Sequence, residues 1–437
     1  MNINPFVYGN TTAIQNFLNR TRPLRRVIGR IITSGQSSAV VGEPRIGKTS
    51  FLNYISDPST REKLYGTAGE QMIFSFIDSH MLSQEFTPSQ FWQQALVPLK
   101  TQLVDPSPDT PLSQQYQVCQ DNHFGTFTLE TLFRRLKQAE WRFVLLIDEF
   151  DALIHHQVLN SVEFFGGMRS LASRSGGSLA LVIASRQPIH ILNDQTQYLN
   201  PTGSPFFNIF AEVTLGPFPK KDIEKLLDRA GERFSTQDRI VIKQLAGGHP
   251  YLLQAAAAAL WDAYEEEIPD APKRRQYMVE RLYREQDWHF ADTWKVWSPE
   301  TRKAFTTIAL CSGAQVLNDR TFALKPFIQS LKDLTPELKD LEEAGLIAKD
   351  DSQDCGWRVE PQIMIWWLAD ELVRATRNTE QTFEQWLQAQ EMEHWLTRQQ
   401  RETIASFAQK SGEFLLEGAG QLLEAVAEGL GSGLAGG

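Results

Sequence analysis

The strongest chemical signal in the chain is the run Gly42-Glu43-Pro44-Arg45-Ile46-Gly47-Lys48-Thr49. It fits Gly-x-x-x-x-Gly-Lys-Ser/Thr at every fixed position. The glycines let a backbone wrap closely around phosphate, and successive N–H groups followed by a helix N-terminus take up the negative charge. The Lys48 ammonium reaches β- and γ-phosphates, and the Thr49 hydroxyl ligates Mg²⁺. Ser50 carries the loop into a helix. A second group supplies carboxylates: Asp148-Glu149 directly follows the apolar run Phe143-Val144-Leu145-Leu146-Ile147. Asp148 is suited to hold Mg²⁺ through water, and Glu149 to orient and deprotonate an attacking water. The plain alternative is that the two acids cap the next helix.

These groups must be brought together by a sheet. Ser38-Ala39-Val40-Val41 reads as a short buried strand before the loop, and Ser50-Phe51-Leu52-Asn53-Tyr54-Ile55 opens a helix after it. The run 143–147 has the continuous apolarity of a central parallel strand buried on both faces. In a doubly wound sheet ligands sit beyond the carboxyl ends of the strands, so Asp148 and Glu149 are expected to face the phosphate loop. Residues 72–77 form a further strand ending at Asp78, 179–184 another ending at Ser185-Arg186, and 212–215 a shorter one. A strand therefore lies between the loop strand and the Asp-Glu strand. That order, with Glu149 next to Asp148, resembles the additional-strand class of P-loop NTPases and implies an α/β fold with a parallel sheet. Ser185 or Arg186 then stands where such enzymes place a polar sensor of the γ-phosphate; the alternative for Arg186 is a surface charge after a strand. Arg174 reads as an arginine finger acting in trans or, more simply, as a solvated helix end. No Asn-Lys-x-Asp motif for guanine occurs, which favours ATP.

The wider pattern resembles the STAND signal-transduction ATPases, in their AAA-like and archaeal-type branch. The residues that carry the resemblance are Asn4-Pro5-Phe6, Gly42 to Thr49 with Arg45 in place and Ser50-Phe51-Leu52 after it, Leu146-Ile147-Asp148-Glu149-Phe150-Asp151, Leu215-Gly216-Pro217-Phe218, and Ala246-Gly247-Gly248-His249-Pro250-Tyr251-Leu252-Leu253. It covers roughly residues 1–370. The family's Phe-x-Gly-Arg-x-x-Glu-Leu element is incomplete, because Phe17-Leu18-Asn19-Arg20 lacks the glycine and the acidic partner. The resemblance implies an ATP-binding switch with slow, Mg²⁺-dependent hydrolysis, alternating between ATP and ADP and controlling association with protein partners or self-assembly in signalling or defence. It also implies a helical lid after the core. Ile223, Leu226 and Leu227 give that lid a helical apolar stripe, Gly247-Gly248 can end one helix, and Pro250 suits the first turn of the next. His249 at the joint has two readings: a contact to the nucleotide phosphate, with Pro250 beside it, or a histidine satisfying helix ends within the lid.

The expected division is a P-loop NTPase core at 1–218, a lid at 219–290, a winged-helix domain at 291–375 and a helical, Gly-rich tail at 376–437. The winged helix is read from three helices followed by a hairpin. Thr335 is its expected N-cap before Pro336, Gly345 the C-cap, Leu334, Leu338 and Leu341 the buried stripe, and 346–348 and 357–359 the strands around a polar turn. Its candidate reading helix carries Glu337, Asp340, Glu342 and Glu343 against Lys339, a poor partner for nucleic-acid phosphate. A packing module is therefore expected, the runner-up being a DNA-associated ATPase. A scaffold that binds nucleotide without hydrolysis is the third reading. The basic group Lys273, Arg274, Arg275, Arg281 and Arg284 reads as a solvated helix face. In the tail, Phe383, Trp386, Trp395 and Phe407 are spaced through a polar stretch. Leu415, Ala419, Leu422, Val426, Leu430 and Leu434 then recur at helical intervals among glycines. The expectation there is a frayed or folded-back end, the alternatives being self-association or membrane contact; its acidity disfavours the membrane.

Composition agrees with this picture. The chain has 437 residues, 42% hydrophobic and 22% charged, with a net charge of -10. That length suits about three domains, and the aromatic content excludes a largely disordered chain. The acidic balance argues against a protein that coats nucleic acid. Cys119, Cys311 and Cys355 form no CxxC or metal-ligand spacing. Their odd number suits a reducing compartment. No apolar stretch approaches the ~18 residues of a membrane span, and residues 1–12 do not read as a secretory signal. The expected location is the cytoplasm.

Overall fold

The apolar runs pair as parallel strands in the computed structural model, which describes residues 3–18, 20–316, 324–376, 380–392, 400–404 and 406. Five described strands make one sheet: β1 (Ser38–Val41), β2 (Met72–Asp78), β3 (Arg142–Asp148), β4 (Leu179–Ser185) and β5 (Ala211–Thr214), in the order β2-β3-β4-β1-β5. β4 separates the loop strand β1 from the acid-tipped β3, as expected, and each pairing is parallel. This is the α/β arrangement of a P-loop NTPase. The central strands β3 and β4 are buried almost throughout, which is why they read as unbroken apolar runs. The edge strand β5 exposes Glu212 and Thr214, polar groups that discourage pairing with a foreign strand.

Alternate residues of each strand feed opposite faces of the sheet. Phe143, Leu145 and Ile147 of β3 join one apolar cluster with Leu129, Phe133 and Phe164. Val144 and Leu146 join the other with Val27, Ile31, Phe51, Leu52 and Ile55. The helices that supply these side chains are α1 (Thr21–Ser34), α2 (Lys48–Ser56), α3 (Thr126–Gln138) and α4 (Val162–Arg174). α1 ends at Gly35, whose φ of 61° puts it in the left-handed region. The first residue of α4 follows Ser161, whose hydroxyl accepts the Phe164 N–H.

Two compact units are distinguished. One is Thr11–Leu215; the other joins Met1–Asn10 to Gly216–Gly437. In the second unit the region expected to form the lid consists of four helices, α5 (Lys220–Leu227), α6 (Thr236–Ala246), α7 (Pro250–Glu265) and α8 (Ala271–Val296). Residues 255–259 are all alanine and buried, so α7 presents a smooth face for close packing. The helix that carries the Ile223, Leu226 and Leu227 stripe ends as α-helix at Leu227 and closes in a 3₁₀ turn over Asp228–Ala230. The first residues of the chain pack on this unit: Phe6 stacks on Phe234 at 5.6 Å, Asn4 Nδ2 donates to Asp262 at 2.8 Å, and the Tyr8 hydroxyl donates to Glu285 at 2.7 Å.

The basic group in α8 is the solvated face that its composition suggested only at Lys273 and Arg284, which are exposed; Arg275 and Arg281 are tied down. Arg275 Nε donates at 2.8 Å to Asp238, which is fully buried. Arg281 spans Asp262 and Glu285 at 2.7 and 2.8 Å. Beyond α8 lie α9 (Pro299–Val316), α10 (Thr335–Ala344), the antiparallel hairpin β6 (Ile347–Lys349) and β7 (Trp357–Val359), and α11 (Ile363–Thr376). Gly345 closes α10 at φ 75°, where a Cβ would stand 2.4 Å from Pro217. Thr335 does not cap α10: Leu334 holds the cap position and the Thr335 hydroxyl donates to Lys332 O instead. The helical tail expected over 413–437, with Trp395 and Phe407 before it, lies outside the described residues. No described helix is long and apolar enough to cross a membrane.

Candidate functional site: a phosphate loop and two strand-tip acids

The loop between β1 and α2 is shaped by its two glycines. A Cβ on Gly42 would meet Leu215 O at 2.6 Å, so β5 approaches too closely for any side chain there. Gly47 adopts φ 101° and caps α2, with open space on the side where a Cβ would stand. Arg45 between them takes φ 61°, a costly conformation for a residue with a side chain. The loop is anchored from both sides: Gly42 N–H donates to Ser185 O at 3.3 Å, and buried Arg20 donates to Ile46 O at 2.8 Å. Ser50 Oγ accepts the Thr12 N–H at 3.2 Å.

Lys48 is only 5% exposed and folds back onto its own loop, donating to Gly42 O at 2.8 Å and Glu43 O at 3.1 Å. Burial pulls its ammonium below the ordinary lysine value, while Glu149, Asp151 and Glu43 act to hold it charged. The first-turn N–H groups of α2 have no intrahelical acceptor, as in every helix. This donor set suits an anion: a buried ammonium, free-ended helix amides and a glycine cradle with room above it.

The register Asp78↔Asp148 sets the tips of β2 and β3 level, so the acids emerge together. Asp148 is 3% exposed and accepts the Glu149 N–H at 3.1 Å. Burial pushes its carboxyl above the usual range; the nearby Thr49 hydroxyl works against this, and the Glu149 charge adds to it. Glu149 takes φ 49°, a second left-handed non-glycine residue at the site. Its carboxylate lies 3.3 Å from Arg186 Nε and 3.7 Å from His80 Nε2. Among the described residues no group of three or more His, Cys, Asp or Glu could hold a metal unaided. A Mg²⁺ ion held by Thr49 and Asp148 would therefore complete its shell with water and phosphate oxygens, its ordinary habit.

The structure thus brings together Gly42, Glu43, Pro44, Arg45, Ile46, Gly47, Lys48, Thr49, Ser50, Asp148, Glu149, Ser185 and Arg186. Ser185 at the end of β4 is fully buried and donates to Asp151 at 3.0 Å, and Asp151 also accepts the Arg186 N–H at 2.8 Å. His249 and Pro250 lie in the other unit, at the α6–α7 joint. Pro250 opens α7, and the buried His249 ring stands 5.9 Å from that of His289 without capping the helix through its side chain. Arg174 ends α4 and pairs with Glu130 at 3.7 Å, which matches the solvated helix end.

Three contributors escaped sequence reasoning. Asp151 accepts from Ser185 and from the Arg186 and Gln187 N–H groups, contacts that depend on β4 lying next to β3 and so leave no mark in the sequence. His80 reaches Glu149 only through the β2–β3 register. Arg20, known from the sequence only as the remnant of the incomplete Phe-x-Gly-Arg element, supports the loop itself through its hydrogen bond to Ile46 O.

A family profile described as an AAA-like domain matches residues 11–282. Among solved structures, the chain is similar to a Walker-type ATPase of Pyrococcus abyssi at 14% identity, covering 82% of this chain and 97% of that one, with a TM-score of 0.49. It is similar to the ORC2 protein of Aeropyrum pernix in ADPNP–ADP complexes at 12% identity, covering 80% and 95%, with a TM-score of 0.44. It is also similar to domain III of the replication initiation protein DnaA of Thermotoga maritima at 15% identity, covering 64% and 99%, with a TM-score of 0.37. No curated protein matches the chain.

Proposed function

Because this chain belongs to the AAA-like domain family, we propose that it is a nucleotide-controlled switch: an ATPase that binds Mg·ATP tightly, hydrolyses it slowly, and changes its association with partner proteins or with other copies as ATP gives way to ADP. The observation that carries this reading is the buried Lys48, folded onto its own phosphate loop at Gly42 O and Glu43 O, with the strand-tip carboxylate of Glu149 as its leading charge partner.

In this reading the main-chain N–H groups of residues 45–50 and the Lys48 ammonium hold the phosphates. Thr49 and Asp148 hold Mg²⁺, which when bound neutralises phosphate charge. Lys48 exchanges the carbonyls of Gly42 and Glu43 for phosphate oxygens, so the loop is satisfied before and after binding. Glu149 orients a water and takes its proton. Its ion pair with Arg186 gives Arg186 a part in placing that carboxylate, and Ser185 and Arg186 together report on the terminal phosphate. His249 and Pro250 are the lid's proposed contribution. The finer assignment, to the STAND signal-transduction kind acting in signalling or defence, rests on the Gly247-Gly248-His249-Pro250-Tyr251 run. The winged-helix reading of residues 291–375 rests on the helices and hairpin there, and the acidic face of α10 favours a packing role over nucleic-acid binding.

Phosphate release from Mg·ATP, followed beside nucleotide binding, tests the proposal. Glu149→Gln is expected to bind ATP as the unaltered chain does and to lose turnover by about 10²–10⁴-fold, the usual worth of a general base. Unchanged turnover in that variant would remove Glu149 from its role, and no phosphate release from the unaltered chain would leave a binding scaffold.

A further inference from the structure

Two of the chain's three cysteines, far apart in sequence, meet in the second unit. Cys311 lies on α9 and is 5% exposed; Cys355 lies in the turn between β6 and β7 and is partly exposed. Their thiols are near enough that each is the first influence on the other's titration. The Cys355 thiol also stands 3.1 Å from Trp357 O. The backbone fixes this meeting: the Val359 N–H of β7 donates to Ser312 Oγ, one residue along α9 from Cys311, at 3.3 Å. The turn itself is ordered by Asp350, whose carboxylate accepts the Ser352 N–H at 3.0 Å and whose N–H donates to Gly356 O at 3.0 Å.

We propose that Cys311 and Cys355 form a reversible thiol–disulfide site, oxidised by a small-molecule disulfide of the glutathione class, whose closure ties the β6–β7 turn to α9. The proposal is independent of the nucleotide site. Cys355 is the entry point because it is the accessible partner. Its thiol is held below the ordinary cysteine value, chiefly by the neighbouring Cys311 thiol, although burial opposes this. Cys311 is held above that value, first by Cys355 and then by burial, so it keeps its proton and acts second.

The exchange balances in two steps. The Cys355 thiolate attacks one sulfur of glutathione disulfide; the glutathione S–S bond breaks, one glutathione thiolate leaves, and a mixed disulfide remains on Cys355. Cys311 then gives its proton to solvent and attacks the Cys355 sulfur. The mixed disulfide breaks, the second glutathione thiolate leaves, and the Cys311–Cys355 bond remains. One disulfide has been reduced and one dithiol oxidised. Such pairs, where they occur inside cells, are transient and sensing rather than structural.

The test incubates the full chain with glutathione disulfide or with reduced glutathione. It is then denatured in N-ethylmaleimide and its peptides are mapped by mass. The expected result is a crosslinked peptide pair containing Cys311 and Cys355 in the oxidised sample only, opened by dithiothreitol, with Cys119 carrying maleimide in both. Cys311→Ser is expected to stop at the first step and keep glutathione on Cys355. Maleimide on both Cys311 and Cys355 after oxidation, or glutathione retained on Cys355 of the unaltered chain without the bridge, would overturn the proposal. The unaltered chain decides even if the Cys311→Ser variant does not fold.

Discussion

Lys48, Gly42, Gly47 and Arg186 make separable contributions, because their surroundings differ. Gly42 is constrained by space and Gly47 by its backbone angle. Gly42→Ala would press a methyl group against Leu215 O at 2.6 Å and is expected to destabilise by about 1–3 kcal/mol, read from the urea midpoint. Gly47→Ala has open space but φ 101°, and is expected to cost about 1–2 kcal/mol by the same measurement. Arg186 is different. Its side chain is 41% exposed, so its pair with Glu149 adds less than about 1 kcal/mol to stability. Arg186→Ala is therefore expected to leave the unfolding midpoint nearly unmoved while slowing phosphate release; an unchanged rate would return Arg186 to a plain surface charge. The sequence displayed the loop and the acids because phosphate chemistry needs fixed residue types at fixed spacing. It did not display His80 or Asp151, since their partners are set by strand register and neighbour order. Their residue types alone carry no such information.

Helices and strands were legible where burial is continuous. β3 and β4 read as unbroken apolar runs and appear nearly as expected, each extended by one or two residues. The ends of helices were less legible: Thr335 has the chemistry of a cap but spends its hydroxyl on Lys332 O. The charged residues of α8 show why composition misleads. Arg275 looks like a solvated group until Asp238, 37 positions earlier, is seen beneath it. That carboxylate joins three helices, accepting from Ser235 at the start of α6, Tyr264 on α7 and Arg275 on α8. Burial alone would raise its pKa, but the hydrogen bonds from Arg275, Ser235 and Tyr264 outweigh burial and hold it below the ordinary value. The stability it contributes is therefore complete above the unfolded pKa of about 3.9 and lost as pH falls through the lower folded value. Asp238→Ala leaves Arg275 without its partner and is expected to cost about 3–5 kcal/mol. A thermal melt at neutral pH checks this, and a loss near zero would mean that water replaces the clasp.

The chain as a unit is proposed to change its associations with nucleotide state. Its mass in solution should shift between ADP and a non-hydrolysable ATP analogue; an identical species in both would remove the assembly part of the proposal while leaving the ATPase part intact. The grouping of residues 3–10 with the second unit was not legible, because Asn4, Phe6 and Tyr8 find their partners more than two hundred residues away. The account as a whole depends on the loop gripping a triphosphate. Calorimetric titration of Mg·ATP into the unaltered chain and into Lys48→Ala decides that point. Saturable one-site binding is predicted for the first, with a loss of about 2–5 kcal/mol in the variant, where a buried ammonium no longer meets phosphate. Equal affinity for the two proteins would refute it.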